Sequence, residues 1–487
     1  MCPRSRCYRK YCFVPTANTD KSAGLWPRRE ITAAGSSVLN EVLHGLSEIQ
    51  RVRLKKPLII AGCLCGCAIT LTILWRATRP PPIAWQVNIP GLNPEQISVG
   101  RDGTVYLTAS HGLLVFGGDG NQRWATPKGL SIDSKPAIGK DGTIYAEASR
   151  PTFGSLTNRT LKGLVALQPQ GSVKWWVSVD EISTGLEKAL ILDNDDTIYF
   201  SSKQHSDRST TVFAVGADGR ERWHFTSNRF RKFTFPMLIA ADDSILFQSV
   251  GETNDFVRFD ATGKRLGEMN AYEGWPASTD WDGTLYIPAR AGAPLMTSLN
   301  ADGSVRWRLN SPFMSIAAPT IGADGTLYFP GLERPKPNQS HHGYLFALEK
   351  NGKPKWRFPM GHHLDFRPPT VASDGTLFFQ TGPRMTALTP NGKVKWVFEP
   401  PRRFKHPQRI PRSWKAIKSL WKEYFAGPEF DLDTSSTLTP EGMLYVTLGD
   451  PYYSLYAMRV GVGLATNSPW PMPGGDARLT GRVAARP

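Results

Sequence analysis

Four runs between residues 315 and 360 decide the fold. They are Ser315-Ile316-Ala317-Ala318-Pro319-Thr320-Ile321-Gly322, Asp324-Gly325-Thr326-Leu327-Tyr328-Phe329, Tyr344-Leu345-Phe346-Ala347-Leu348 and Asn351-Gly352-Lys353-Pro354-Lys355-Trp356-Arg357-Phe358. The first is small-residued and extended. Asp324-Gly325 is a tight turn, because glycine accepts the positive φ that such turns require. The β-branched and aromatic runs that follow read as strands, with a second turn at Asn351-Gly352. The unit is therefore four strands, with hairpin turns after the first and the third.

The unit returns along the chain. Its first turn reads Asp102-Gly103-Thr104-Val105-Tyr106, Asp141-Gly142-Thr143-Ile144-Tyr145, Asp195-Asp196-Thr197-Ile198-Tyr199 and Asp242-Asp243-Ser244-Ile245-Leu246-Phe247. It continues as Asp282-Gly283-Thr284-Leu285-Tyr286, Asp324 to Tyr328, Asp374-Gly375-Thr376-Leu377-Phe378 and Glu441-Gly442-Met443-Leu444-Tyr445. The second turn pairs a glycine with a tryptophan four residues on: Gly120/Trp124, Gly171/Trp175, Gly219/Trp223, Gly303/Trp307, Gly352/Trp356 and Gly392/Trp396. The fourth copy deviates twice, with Leu246 in the aromatic place and Gly267 where the tryptophan belongs.

A four-stranded unit of roughly forty residues is a propeller blade, so the fold class is all-β, an eight-bladed propeller over residues 83–480. A propeller must tie its first blade to its last, or two sheet edges stay open. The last copy lacks its tryptophan strand, and Ile83-Ala84-Trp85-Gln86-Val87-Asn88 supplies one ahead of the first copy. Residues 83–88 are expected to pair near Tyr456 and complete blade eight, with the tail from Trp470 lying over that junction.

The Asp-Gly-Thr-Leu-Tyr turn, the Leu-Phe-Ala-Leu strand and the Gly-x-x-x-Trp turn together resemble the repeat of the pyrroloquinoline-quinone-like (PQQ-like) propellers. That family includes quinoprotein alcohol dehydrogenases and BamB, the propeller lipoprotein of the bacterial outer-membrane barrel assembly machine. Many members bind no quinone, so the resemblance speaks for fold and little for activity. Its quinone-dependent branch carries an adjacent-cysteine ring over the cofactor. All six cysteines here precede residue 68, so this propeller cannot make one.

Residues 57–75, from Pro57 to Trp75, carry no charge. At about 1.5 Å per residue such a helix nearly spans a hydrocarbon core of about 30 Å. Arg51, Arg53, Lys55 and Lys56 precede it and Arg76 and Arg79 follow, which favours a cytoplasmic N-terminus and a periplasmic propeller on a single-pass inner-membrane anchor. Residues 76–82 are a proline-rich linker. Ile60-Ala61-Gly62-Cys63 has lipobox-like chemistry, but the apolar run before Cys63 is short of an h-region and continues past it. Residues 1–56 read as a basic cytoplasmic segment without periodicity, and translation from near Val52 or Leu54 is the other reading of that leader.

The formal charge is +16, and it is concentrated. Residues 1–56 hold 11 Lys/Arg against 4 Asp/Glu, and residues 400–431 hold 8 against 3. The body is near neutral and lacks the basic stripe of a nucleic-acid binder. Within the second segment Trp414, Ile417, Leu420, Trp421, Tyr424 and Phe425 recur at helical spacing, with Lys415, Lys418 and Lys422 opposite. An amphipathic helix over about 411–426 follows. It either packs on the propeller or lies on anionic lipid or a partner, and Trp414, Lys415, Lys418, Trp421 and Lys422 would make the latter contact.

Strand order sorts the loops. The Asp-Gly and Gly-x-x-x-Trp turns emerge on one face, and the second-to-third and inter-blade loops on the other, where all the long insertions fall. Loops on a rigid scaffold carry function, so the candidate contacts are Arg231, Lys232, Trp275, His341, His342, His362, His363, Asp365 and Arg367. The paired histidines read as loop residues rather than zinc ligands, because adjacent side chains diverge in extended chain and no spaced partner is present. Asp280-x-Asp282 and Asp193-x-Asp195 resemble calcium-loop fragments but coincide with the structural turn.

The resulting expectation is a monomeric, membrane-anchored, non-catalytic propeller without cofactor or metal, binding a protein, peptide or glycan at its loop-rich face. A periplasmic oxidoreductase using PQQ with calcium is the alternative.

Overall fold

A computed structural model describes residues 79–482, apart from a few single residues and pairs and the stretches 152–159, 179–189, 204–209, 228–231, 234–237, 251–254, 271–276, 289–294, 334–341, 362–366, 402–435, 450–452 and 477–479. The candidate transmembrane segment 57–75 and the helix near 411–426 lie outside the described residues. Among the described residues no helix is long and apolar enough to cross a membrane.

Eight separate antiparallel sheets follow one another along the chain. Blade one is Pro94–Val99, Val105–Ala109, Gly112–Phe116 and Gln122–Ala125. In blades two, four and six the first strand comes in two pieces, for example Phe313–Ser315 and Thr320–Ile321, both pairing with Leu327–Glu333. Blade eight closes as the sequence implies. Ile83–Asn88 pairs antiparallel with Ser454–Arg459, with Gln86 opposite Tyr456. The join is reinforced by Ile89 N–H donating to the Tyr453 carbonyl and Arg459 N–H to that of Pro82, both at 3.0 Å.

The third and fourth strands of each blade share one irregularity, a bulge that skips the residue just before the tryptophan position. Leu348 faces Pro354 and Ala347 faces Trp356, leaving Lys355 outside the pairing. Leu299/Val305 and Ser298/Trp307 likewise leave out Arg306, and Leu388/Val394 and Ala387/Trp396 leave out Lys395. A bulge re-aims the extra side chain: in blades two, five, six and seven it turns Lys174, Arg306, Lys355 and Lys395 toward the first hairpin of their own blade, whereas Arg123 and Arg222 pair with Asp119 and Asp218 of the second hairpin.

The tryptophans join blade to blade. Six of them, Trp85, Trp124, Trp175, Trp223, Trp307 and Trp356, lie on a turn glycine of the next blade; Trp396 does not. A Cβ at Gly352, whose φ is +86°, would stand 2.9 Å from Trp307, and one at Gly392 equally close to Trp356. Only glycine leaves room for the ring and adopts the turn. The indole N–H then donates to a backbone carbonyl two residues before that glycine: Trp85 to Gly118 (2.8 Å), Trp124 to Pro169 (2.8 Å), Trp175 to Ala217 (2.9 Å), Trp223 to Ala261 (3.0 Å), Trp307 to Lys350 (2.9 Å) and Trp356 to Pro390 (2.8 Å). Buried aromatic rings from the second strands complete the packing, such as Tyr328 5.9 Å from Trp356. Nearer the axis, hydroxyls of first strands reach neighbouring blades: Thr437 donates to the Ile97 carbonyl and Thr370 to that of Ser436.

The tail differs from its expected place. It leaves blade eight with Leu464 N–H on the Thr439 carbonyl, then accepts from Val371 and Ile321 through Pro471 and Trp470, and from Leu192 through Thr480. Arg482 bridges to Ile239. The tail therefore crosses the first strands of blades seven, six, four and three instead of covering only the terminal junction. The reason is that first strands present one unpaired edge to the axis, and the tail supplies partners for those backbone groups.

Replacing Trp356 by Ala removes a buried ring and orphans the Pro390 carbonyl, and should cost about 3–5 kcal/mol. Gly392→Ala, across the same contact, should cost about 1–3 kcal/mol through backbone strain alone, before the clash is added. Thermal and urea midpoints check both; unchanged midpoints would contradict this account of the blade joint.

Candidate functional site

Two faces need separate accounts. On the face of the tight turns, each Asp is an acceptor for its own hairpin: Asp324 Oδ1 takes Thr326 N–H at 3.0 Å and Oδ2 takes the Thr326 hydroxyl at 2.7 Å. The bulged basic residue completes the set. Lys355 reaches Asp324 at 3.2 Å and Thr326 at 2.7 Å, Lys395 reaches Asp374 and Thr376 at 3.0 and 2.8 Å, and Arg306 reaches Asp282 and Thr284 at 3.4 and 2.8 Å. The pattern is architectural, a pinned turn between the two inner strands of the blade.

Partial burial opposes ionisation of these carboxylates, but the turn hydrogen bonds and the basic partners outweigh it, so Asp141, Asp242, Asp324 and Asp374 all sit below the usual carboxylate range. Asp282 is lowered to about 2, with Lys350 of the next blade adding to its turn bonds. Burial, with Asp102 nearby, pushes the Tyr106 hydroxyl up to about 12.

The calcium-like fragments are occupied by protein groups. Lys350 Nζ stands 2.7 Å from Asp280 and 3.1 Å from Asp282, and Asp193 accepts the Tyr199 hydroxyl at 2.9 Å. Among the described residues no group of three His, Cys, Asp or Glu is placed to hold a metal ion.

The opposite face carries the long connections. Of the residues expected there, Arg231, Trp275, His341, His362, His363 and Asp365 lie outside the described residues, as do Trp414, Lys415, Lys418, Trp421 and Lys422. Three are placed, all at this end of the sheets. Lys232 is opposite Val250 at the far end of its blade's second strand. His342 is exposed, and its carbonyl accepts Glu333 N–H at 3.0 Å. Arg367 is half-buried just before the first strand of blade seven.

Sequence reasoning missed two cation–aromatic sets on the second-strand and fourth-strand ends toward this face. The Arg150 guanidinium lies 4.5 Å over Trp176, and Arg357 lies 5.1 Å from Phe313 and 4.8 Å from Tyr344. The available signal was Trp176 itself, a second tryptophan beside the structural Trp175. Buried polar atoms without a hydrogen-bond partner also recur near this end, at Thr108 Oγ1, Gln380 Oε1 and Thr447 Oγ1, in three consecutive blades.

The described geometry matches solved propellers. BamB from Moraxella catarrhalis superimposes with a TM-score of 0.51 at 12% identity, covering 78% of this chain and 100% of that one. The fold is that of the PQQ-like eight-bladed propellers. A Dos1 propeller gives a TM-score of 0.46 at 10% identity over 78% of this chain and 94% of that one. No protein-family model matches the sequence, and no curated protein matches it.

The lowered Asp282 fixes a sign. A carboxyl with a folded pKa of about 2 against about 3.9 unfolded contributes stability above pH ~4 that is lost as pH falls toward 2. Asp282→Asn should flatten that part of the acid profile while the wild type loses stability across it. Urea midpoints at pH 5, 4 and 3 measure the difference; parallel profiles would contradict the assignment.

Proposed function

We propose that this chain is a membrane-anchored, non-catalytic propeller that binds a protein, peptide or glycan through its loop-rich face. The observation that carries the reading is the asymmetry of the two faces. Tight turns on one face use their polar side chains on themselves, whereas the connections at 152–159, 204–209, 334–341 and 402–435 all leave from the other. Aromatic rings with stacked guanidiniums at that end suit extended partners, since such groups combine apolar contact with polar reach. The apolar segment 57–75, its flanking charge and the basic stretch near 411–426 support a periplasmic propeller held at the inner membrane, N-terminus inside.

The absence of cysteine from the propeller and the mainly basic and aromatic character of the loop-rich rim support a role without quinone. A quinone held with calcium needs anionic or carbonyl ligands converging in one pocket, and Asp365 is the one acid among the candidate rim residues.

The test is cross-linking affinity capture from the native membrane. The wild type and Asp282→Asn, altered on the tight-turn face, should retain the same partner, while Arg150→Ala combined with Arg357→Ala should lose it at unchanged thermal stability. Retention by the double variant would refute the loop-rich face as the contact. Addition of the quinone and calcium should leave no quinone absorbance on the protein after gel filtration, and stoichiometric retention with dye reduction would reverse the non-catalytic reading.

A further inference from the structure

Two of the eight joints lack an indole on a turn glycine, and the one between blades four and five has also lost its tryptophan, whereas Trp396 is kept at the seven–eight joint. Between blades four and five the tryptophan is replaced by Gly267, the second-strand aromatic by Leu246 and the bulged basic residue by Leu266, which is exposed. The register shows that these are equivalent positions. Leu246 faces Leu238 as Tyr286 faces Ser278 and Tyr328 faces Thr320. Gly267 faces Arg258 as Trp307 faces Ser298 and Trp356 faces Ala347. The residue opposite the tryptophan has thus changed as well, from a small side chain to arginine.

Arg258 takes over two tasks from the missing residues. Its Nε donates to Ser244 Oγ at 2.9 Å and its guanidinium pairs with Asp242, as the bulged lysine does in other blades. Its Nη1 lies 3.3 Å from the Ala301 carbonyl, the acceptor that corresponds to those bonded by the indoles. This long contact leaves lone-pair capacity on a carbonyl that accepts twice. Met269 covers Gly303, its Cγ 2.7 Å from the position a Cβ would take.

Methionine and leucine are smaller than the tryptophan and tyrosine they stand in for, and the difference remains as space. A cavity of about 230 Å³ opens at the joint, with Leu246, Met269 and Leu285 as its floor, Trp281 beside it and Asp242 and Asp282 at its rim. The floor is buried and apolar. The rim charges are already matched, Asp242 by Arg258 and Asp282 by Arg306 and Lys350, so the cavity favours a neutral guest.

We propose that this cavity is a binding site for a neutral aromatic ring bearing an N–H donor, of the indole class, seated beside the Met269-covered turn glycine, against the leucines and the Ala301 carbonyl that line the space the absent tryptophan leaves. The same chain shows six times what such a seat accepts: a flat ring against a turn glycine, with its N–H on the facing carbonyl. Here that ring comes from outside. The entrance is adaptable, because the unbranched thioether side chain of Met269 can change rotamer and move aside. The site is on the tight-turn face and is independent of the loop-rich face.

The test uses the full-length chain with two probes, 5-fluoroindole and N-acetyl-tryptophanamide, followed by fluorine NMR and calorimetry respectively. Saturable binding of at least one probe is expected. Tighter binding of the amide points to a tryptophan side chain of a partner, and binding of indole alone to a small aromatic ligand. Gly267→Trp should abolish binding by filling the seat. A Cβ at Gly267 meets nothing within 4 Å, so the substitution does not clash at the backbone, and the thermal midpoint of the variant verifies that it folds. Trp281→Ala should weaken binding about three- to tenfold by removing one wall of the site. No saturable binding of either probe, or undiminished binding to folded Gly267→Trp, would overturn the proposal.

Discussion

Six of the eight joints of the ring depend on an indole ring lying flat on a glycine of the next blade. Sheets within a blade are held by their own backbone hydrogen bonds and need no neighbour for that. Nothing in a single four-stranded sheet buries its faces, however, so stability comes only when blades stack. The indole supplies apolar area, a fixed spacing set by its thickness and a directed N–H bond. The glycine supplies the positive φ of the hairpin and the absence of a Cβ. Either alone would leave a turn or a ring without a place, which explains why a hairpin carries both, its glycine for the ring of the preceding blade and its tryptophan for the glycine of the next.

In blades two, five, six and seven the bulge before the tryptophan position ties the two turns of a blade together. Skipping one residue in the pairing lets the tryptophan face the next blade while the residue before it turns toward its own first hairpin. Lys355 and Lys395 hold a turn carboxylate and a threonine hydroxyl in this way. One-residue displacement thus converts a simple strand into a device with two contacts. Blade eight shows the limit of the scheme. Its fourth strand arrives from the start of the chain and carries Ala84 at the bulge, so the closure relies on Trp85 and on backbone bonds at both ends of the strand.

The repeat, the number of blades and the strand that closes the ring were legible because each rests on local chemistry: a turn that needs glycine, an alternation of strand residues, a tryptophan at fixed spacing. Blade four also announced itself, since Leu246 and Gly267 break the pattern visibly. What filled the gap was not legible. Arg258 is an ordinary surface-type residue in the sequence, and its role depends on a cross-strand register shifted by the bulge. The tail was misplaced for a related reason. Its attraction is to backbone edges of first strands, which carry no side-chain signature, and so Trp470 looked like a lid on the junction beside it. Of the loop residues, Lys232, His342 and Arg367 do gather at one end of the sheets, as topology requires, while Arg150 and Arg357 escaped notice because their partners are distant in sequence.

A closed ring with self-satisfied turns has few places where change is tolerated, and the two faces differ in how they admit it. Loop insertions at the second-to-third connections leave the blade joints untouched, so that face can diversify at little cost in stability. Change at a joint is different, because deletion of one tryptophan would leave an orphaned carbonyl and a void. The fourth blade makes that change with compensation in several residues together: an arginine for the lost donor, a methionine over the glycine and a leucine for the aromatic. Compensation restores the polar contacts more fully than the volume. The ring stays closed while a cavity persists at the joint that has lost its tryptophan.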